Sequence, residues 1–352
     1  MFINGIGAAV PARRYTQQEC WEALRTEPRF GELSPRAQAI TRKVLTGKNG
    51  IATRHLALDP LAEAFDITPD ALHRRFARTA PALAALAAER ALQTSAIAPA
   101  ELDGLIISTC TGYLCPGLTS YVSEQLGLPA SALCLDLVGQ GCGAALPNLR
   151  TAESLIRSGR AQHVLCVCVE VCSAAFYLDN DPGVLISACL FGDGAAAAVV
   201  SARPRSHRRS VRWLNSETVL RPEFRDELRF EQRGGMLFNV LKPSVCRLAA
   251  SAATEVMART LGAASRRQAD IRAWAWHPGG RDVLLALRAQ FGLSDTDLQH
   301  SADVLRDFGN LSSPSVLFVL DATLQNNSPP GLWWMSSFGA GFSCHGALLE
   351  VG

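Results

Sequence analysis

The feature that most restricts what this chain can fold into is a turn. The strand-length run at residues 133–138 breaks at Gly139-Gln-Gly141-Cys142-Gly143, after which Leu146, Leu149, Ala152, Leu155 and Ile156 recur at steps of three or four. That order predicts strand, tight turn and buried helix. Residues 81–95, rich in Ala and Leu, read as a helix ahead of a strand at 105–108, with a further helix near 120–126. The runs at 164–169 and 195–200 read as two more strands. Beyond the Arg- and Ser-bearing stretch 202–209, the best linker candidate, the order recurs. It runs as a helix at 245–261, a strand at 271–276, a helix at 281–291, a turn at Gly309-Asn310 and a helix at 316–324.

Alternation of this kind predicts an α/β chain. At 352 residues it exceeds the usual size of a single core, so two halves, 1–205 and 206–352, are expected. Gly141-Cys142-Gly143-Ala-Ala145 set beside Gly309-Asn310-Leu311-Ser-Ser313 suggests that the halves are degenerate copies. Each copy opens a buried helix at the same place, which makes Cys142 and Asn310 pseudo-equivalent across a twofold axis.

Composition narrows the class. A net charge of +2 without a basic-aromatic stripe argues against nucleic acid. No stretch approaches the roughly 18 apolar residues needed to span a bilayer, so no membrane is expected. The eleven cysteines are scattered and mostly sit in apolar runs, which predicts reduced thiols and a cytoplasmic protein. Cys166 and Cys168 fall on one face of a strand as core, and with Cys172 they lack the partners of a zinc site. No metal is expected. Of 34 basic residues only Lys43, Lys48 and Lys242 are lysines. The clustering of Arg42, Lys43 and Lys48 reads either as an anion contact or as a solvated helix end.

Three residues carry candidate chemistry. Cys142 lies between strand and helix, where the turn thrusts the side chain outward and the helix N-terminus stabilises negative charge. Gly141 and Gly143 permit the backbone, and Pro147 is tolerable in the first turn. A thiol so placed is expected to ionise near neutrality; the other reading is a structural cysteine. His277 ends the apolar strand Trp274-Ala-Trp276 and breaks into Pro278-Gly279-Gly280. It is either a core histidine or an imidazolium partner for the thiolate that then donates to an oxyanion. Asn310 is either a helix N-cap or a neutral amide donor. The order Cys, His, Asn also occurs in papain-like proteases, but the Cys-Gly-Ser-Cys-Trp block of that class is missing.

Five blocks in order resemble the type III polyketide synthases, the chalcone-synthase-like branch of the thiolase-fold condensing enzymes. They are Gly139-Gln-Gly-Cys142, Leu190-Phe191-Gly-Asp-Gly-Ala-Ala-Ala197, His277-Pro-Gly-Gly280, Gly309-Asn310-Leu-Ser-Ser313 and Phe338-Gly-Ala-Gly341. The resemblance implies a duplicated αβαβα thiolase-like fold and a homodimer. It also implies acyl-CoA starters, malonyl-CoA extension and no cofactor beyond these CoA substrates. Cys142 would hold the acyl group, while His277 and Asn310 would polarise the malonyl thioester and stabilise the enolate left by decarboxylation. Phe191 and, less closely, Phe238 match the gatekeeper phenylalanines, and Thr111, Ser187 and Ser312 join the expected cavity. Lys48, with Lys43 and Arg42, matches a contact to the CoA phosphates.

The chain departs from the plant members at Cys110, Cys172 and Ala175, where those carry threonines lining the cavity. Cys115 stands in place of a methionine that reaches the partner subunit, and Ser337-Phe-Gly-Ala-Gly341 replaces Gly-Phe-Gly-Pro-Gly. A wider, more apolar cavity is expected, admitting a long acyl starter with alkylpyrone or alkylresorcinol products. Two rivals stand beside this reading: a fatty-acid-initiating ketoacyl synthase using carrier-bound malonate, and a noncatalytic binding partner. His277-Pro-Gly-Gly, in place of Gln-Ala-Asn after the histidine, argues against the first.

Overall fold

The computed structural model describes residues 1–205, 209–326 and 328–352. Part of the linker read at 202–209, namely Ser206, His207 and Arg208, lies outside the described residues.

The chain opens with β1 (Phe2–Ala9), β2 (Arg14–Thr16), α1 (Gln17–Arg25), α2 (Pro28–Gly31), α3 (Pro35–Thr46) and β3 (Thr53–His55). Next comes the long α4 (Pro69–Ser95), which starts earlier than the helix read at 81–95. The Thr68 side chain caps it by accepting from the Ala71 N–H at 3.2 Å, and Pro69 takes the first helical position. Pro81, which removes one internal hydrogen bond, mimics a start in the sequence but sits inside the helix. α4 lies directly on β1. Gly7 makes that possible, since a Cβ there would stand 2.3 Å from the Ala87 carbonyl oxygen.

Then follow β4 (Gly104–Thr109), α5 (Leu118–Leu126), β5 (Leu133–Val138), α6 (Ala145–Arg157) and β6 (His163–Glu170). α7 (Pro182–Leu190) and β7 (Gly194–Ser201) complete the stretch before the linker. After it come β8 (Val211–Leu220), the hairpin β9 (Leu228–Arg233) and β10 (Met236–Leu241), and α8 (Val245–Ala263). The chain ends with β11 (Ile271–Trp276), α9 (Arg281–Phe291), α10 (Gln299–Phe308), α11 (Ser315–Gln325), β12 (Gly331–Gly339) and β13 (Ser343–Val351).

The main sheet runs β11-β12-β13-β8-β1-β7-β6-β4-β5. Its middle seam is thin, for β1 meets β8 only at Phe2–Arg212 and Ile3–Val211. Read outward from that seam, the order is the same in both directions: β1-β7-β6-β4 on one side and β8-β13-β12-β11 on the other. Only the first side adds a further strand, β5. Where its counterpart would lie, the chain forms α10 and keeps a single parallel bridge, Phe191 to Asn310.

The core explains the layers. α6 and α11 share one apolar cluster with the inward residues of both sides, including Ile106, Cys166, Cys168, Ala273, Ala275 and Trp333. α11 is buried along Val316, Leu317, Phe318, Val319 and Leu320, as a helix apolar on all sides must be. The opposite face of the first side packs α4 and α5, and that of the second packs α8 and α9. The result is a five-layer αβαβα arrangement. Burying each of these leucines contributes roughly 1.5–3 kcal/mol. No helix among the described residues is long and apolar enough to cross a membrane.

Candidate active site

The parallel strands β4, β5 and β6 all end at one rim, the edge where α/β sheets place their ligands. Cys142 lies just past β5, in a 3-10 turn formed by Gly141–Gly143 that precedes α6. Gly141 has φ +57°, and a Cβ on Gly143 would stand 3.0 Å from the backbone of Gly339. Gly339 in turn has no room for a Cβ, which would lie 2.3 Å from the Gln140 carbonyl oxygen. The Phe338-Gly-Ala-Gly341 block is therefore the surface against which the nucleophile turn is pressed.

The Cys142 sulfur accepts a hydrogen bond from the Ser312 hydroxyl at 3.2 Å. Burial pushes its thiol up to about 11, with the Ser312 hydrogen bond pulling the other way and the nearby Glu170 adding to the rise. The thiolate expected from the sequence is not present. The helix begins at Ala145, beyond the turn, and its N-terminus does not outweigh the loss of water around the sulfur.

His277 follows β11 and anchors its N–H on the Ser336 carbonyl at 2.9 Å. The residue is 2% exposed, and its ring Nδ1 has no partner. Burial alone lowers its pKa to about 4, so the ring is neutral rather than the expected imidazolium. Asn310 is set by Gly309, whose φ of +72° turns the chain between α10 and α11. Its Nδ2 donates to the Gly279 carbonyl at 3.0 Å, and its Oδ1 accepts from the Ser312 N–H at 2.8 Å. Ser312 holds a left-handed φ of +59°, a conformation that costs a non-glycine residue about 1 kcal/mol or more. Asn310 is thus not an N-cap of α11, whose first turn starts at Ser315.

These contacts form one chain. It runs from the Cys142 sulfur to Ser312, to the Asn310 amide, to the Gly279 carbonyl, and through the Gly279 N–H to the His277 carbonyl at 3.0 Å. A Cβ on Gly279 would approach the His277 Nε2 to 3.4 Å, so the Pro-Gly-Gly turn lies flat against the imidazole.

Beside this chain is a cavity of about 370 Å³ whose wall includes Thr111, Cys172, Ala175, Ser187, Phe191 and Ser312. Phe176, Phe230 and Asn239, which the sequence reading did not single out, also line it. Phe238 is not on the wall. It precedes Asn239 on β10, so alternation turns it to the other face, where it packs against Tyr177 and Val184 under the Arg233 guanidinium. Cys110 stays close to the site, with its sulfur 3.6 Å from the Ser312 hydroxyl and 3.3 Å from Glu170 Oε1. Arg42 and Lys43 lie exposed near the end of α3, and Lys48 is exposed just beyond it.

Two further buried polar residues were missed. Glu170, at the end of β6, is fully buried and takes five donors: Thr109 and Thr111 hydroxyls, the Cys110 N–H and thiol, and the Ser313 hydroxyl. A lone acid ending the apolar run His163–Glu170 was the available signal. Arg54, 2% exposed, donates to the carbonyls of Ala188 at 2.6 Å and Phe191 at 2.9 Å, holding the segment that bridges to Asn310. Asp193, in the second sequence block, is buried and ties Ser173 and the Ala57 N–H to β7's entrance.

Residues 11–224 match the family model for FAE1/type III polyketide synthase-like proteins, and residues 228–348 match that for the chalcone and stilbene synthase C-terminal domain. The chain is 29% identical to the 3,5-dihydroxyphenylacetyl-CoA synthase of Streptomyces toyocaensis, over 99% of this chain and 89% of that enzyme. It is 28% identical to the alpha-pyrone synthesis polyketide synthase-like Pks18 of Mycobacterium tuberculosis, over 99% and 91% of the two chains. The solved structure of PKS-I from the brown alga Ectocarpus siliculosus superposes with a TM-score of 0.90 at 23% identity, covering 99% of this chain and 97% of that one. With both family models in chain order over a thiolase-like αβαβα fold, the chain belongs to the type III polyketide synthases, condensing acyltransferases of the chalcone and stilbene synthase kind.

Proposed function

We propose that the enzyme loads an acyl group from a CoA thioester onto Cys142 and extends it with malonyl-CoA. The observation that carries this reading is the hydrogen-bonded chain joining Cys142, Ser312, Asn310 and Gly279 to His277. In loading, neutral His277 takes the thiol proton as the sulfur attacks the thioester carbonyl. The carbonyl–sulfur bond to CoA then breaks, and CoA leaves as a thiol with that proton. In extension, the bond between the malonyl methylene and its carboxylate breaks, CO₂ departs and the electron pair remains as an enolate. Asn310 Nδ2 spends one of its two N–H groups on Gly279, which leaves the second for the enolate oxygen beside the imidazole. The enolate carbon attacks the Cys142 thioester, the bond to sulfur breaks, the β-ketoacyl-CoA departs, and the Cys142 thiolate takes a proton from water to restore the thiol for the next round.

The small residues Cys172 and Ala175 on the cavity wall support a bulky or long acyl starter, with alkylpyrone or alkylresorcinol products. Arg42, Lys43 and Lys48 are read as the contact to the CoA phosphates. The outer edge of β5, with Leu133 43% and Val138 56% exposed, supports a homodimer built on that edge. The strand orders on the two sides of the β1–β8 seam support reading 1–205 and 206–352 as degenerate halves. Eleven free thiols fit a cytoplasmic setting.

The test is product analysis by mass spectrometry, with purified enzyme, a panel of acyl-CoA starters, and malonyl-CoA run against carrier-bound malonate. Malonyl-CoA-dependent polyketides that vanish with Cys142→Ala are expected. Undiminished product from that variant, or none from any starter with the wild type, would end the reading.

A further inference from the structure

We propose that His345 is a positioning residue for the Cys142 thiol, gripping the Gly141–Gly143 turn from behind through a series of hydrogen bonds that all run in one direction. This rests on the reading of Cys142 as the acyl-holding nucleophile.

His345 lies on β13, paired with Ser337 of β12 on one side and Thr218 of β8 on the other. It is 4% exposed. A Cβ on Gly143 would stand 3.0 Å from the ring Cδ2, so the imidazole edge is the floor on which the residue after Cys142 rests. In a close-packed interior a shift of that edge is passed on to the turn.

Both ring nitrogens are tied. Ser343 spends its one hydroxyl proton on the Ala340 carbonyl at 3.1 Å, so it can only accept from the imidazole, and Nε2–H donates to it at 3.1 Å. Nδ1 is left without a proton and accepts from the Thr218 hydroxyl at 2.9 Å. Thr218 accepts in turn from Arg150 Nη1 at 3.3 Å. A guanidinium only donates and a carbonyl only accepts, so the two ends fix the direction of every bond between them and the tautomer of the ring. Burial, with the Arg150 charge acting in the same sense, lowers the ring's pKa to about 4 and keeps it neutral, as this series requires.

The series encloses the nucleophile turn. Arg150 belongs to α6, the helix into which the turn leads. Ala340 backs the turn's first residue, for a Cβ on Gly141 would stand 3.0 Å from the Ala340 nitrogen. Ser337, the β12 partner of His345, donates to the Gly143 carbonyl at 3.0 Å. His345 is not on the wall of the reaction cavity, so it acts through the turn and not on the substrate. Its effect can still be large, because a misplacement of about 1 Å can cost on the order of 10²-fold in rate.

The experiment loads an acyl-CoA starter without malonyl-CoA and follows CoA release in a single turnover, in the wild type, His345→Leu, His345→Gln and Thr218→Val. The amplitude counts folded, loadable sites, and the rate constant reports how the thiol is held. His345→Leu is expected to slow loading roughly 10- to 100-fold with the half-saturating starter concentration unchanged. His345→Gln, whose amide can donate to Ser343 in place of Nε2–H, should recover most of that loss. Thr218→Val removes only the bond to Nδ1 and should slow loading by about three- to tenfold, and it reports even if His345→Leu does not fold. Variants that lower amplitude and urea midpoint but load at the wild-type rate constant would make His345 a merely structural residue and overturn the proposal, as would equal rate constants for the Leu and Gln variants. A wild type that releases no CoA from any starter would overturn it together with the reading of Cys142.

Discussion

Glu170 ends the inner strand β6 and His277 follows the edge strand β11; both are buried and polar, yet they are treated in opposite ways. The Glu170 carboxylate takes five donors from four neighbouring residues. The His277 ring keeps an Nδ1 with no partner and is 2% exposed. Burial pushes the first group's pKa up while its donors pull it back, and lowers the second to about 4 with nothing opposing. Most buried polar atoms in proteins are paired, so an unpaired one needs a reason. A saturated carboxylate can only hold β4, β6 and the Ser313 turn together. An imidazole with an open nitrogen can still accept or give a proton.

The contrast is broken if the two residues exchange roles under mutation. His277→Gln is expected to lower product formation by roughly 10²–10⁴-fold while leaving the denaturation midpoint near the wild-type value, since no ring hydrogen bond is lost. Glu170→Ala should do the reverse in emphasis. It strands five donors and is expected to cost roughly 3–5 kcal/mol of stability, read from urea unfolding. A His277→Gln protein as destabilised as Glu170→Ala would show that both are frame residues.

Acid sharpens the same comparison with a smaller effect. The native pKa of His277 lies below its ordinary 6.5, so between 6.5 and about 4 the unfolded chain binds a proton that the native chain refuses. Its contribution is intact above pH 6.5 and is lost as pH falls toward 4, by roughly 3 kcal/mol. His345, also held near 4 by burial, adds a similar loss. His277→Gln should flatten part of that slope in unfolding curves taken from pH 7 to 4; an unchanged slope would mean that the ring is not neutral in the fold.

The asymmetry also marks what the sequence could reveal. Cys142, His277 and Asn310 were legible because each sits where a strand or helix breaks at glycine, a local signal. Their protonation was not, because the pKa of the sulfur depends on Ser312 and on burial contributed by distant elements. The core helices were legible from periodicity, but α4 was cut short at Pro81 and α10 was left undefined. The hairpin β9–β10 escaped notice although it supplies Phe230 and Asn239 to the cavity. β9 carries four charged or polar residues among six, and β10 is an apolar run broken only at Asn239, too short to tell strand from helix by periodicity. Phe238 was matched to a gatekeeper position by resemblance alone, and strand parity carries it off the cavity wall.

The smallest expected effect belongs to the charged residues outside the buried site. Among the described residues Arg42, Lys43 and Lys48 make no ion pair, and all three are exposed. The Lys48 carbonyl accepts from Arg281 at 2.9 Å, which fixes the backbone and leaves the ammonium free. A solvated cation meeting a phosphate contributes about 1 kcal/mol or less. Lys48→Ala should therefore raise the KM for malonyl-CoA about threefold with kcat unchanged, and the difference should shrink as salt rises. The losses at His277 and Cys142 arise where salt does not reach, so they should be the same at low and high ionic strength. Equal KM values for wild type and Lys48→Ala at low salt would remove Lys48 from the CoA contact, leaving Arg42 and Lys43 to be tested the same way.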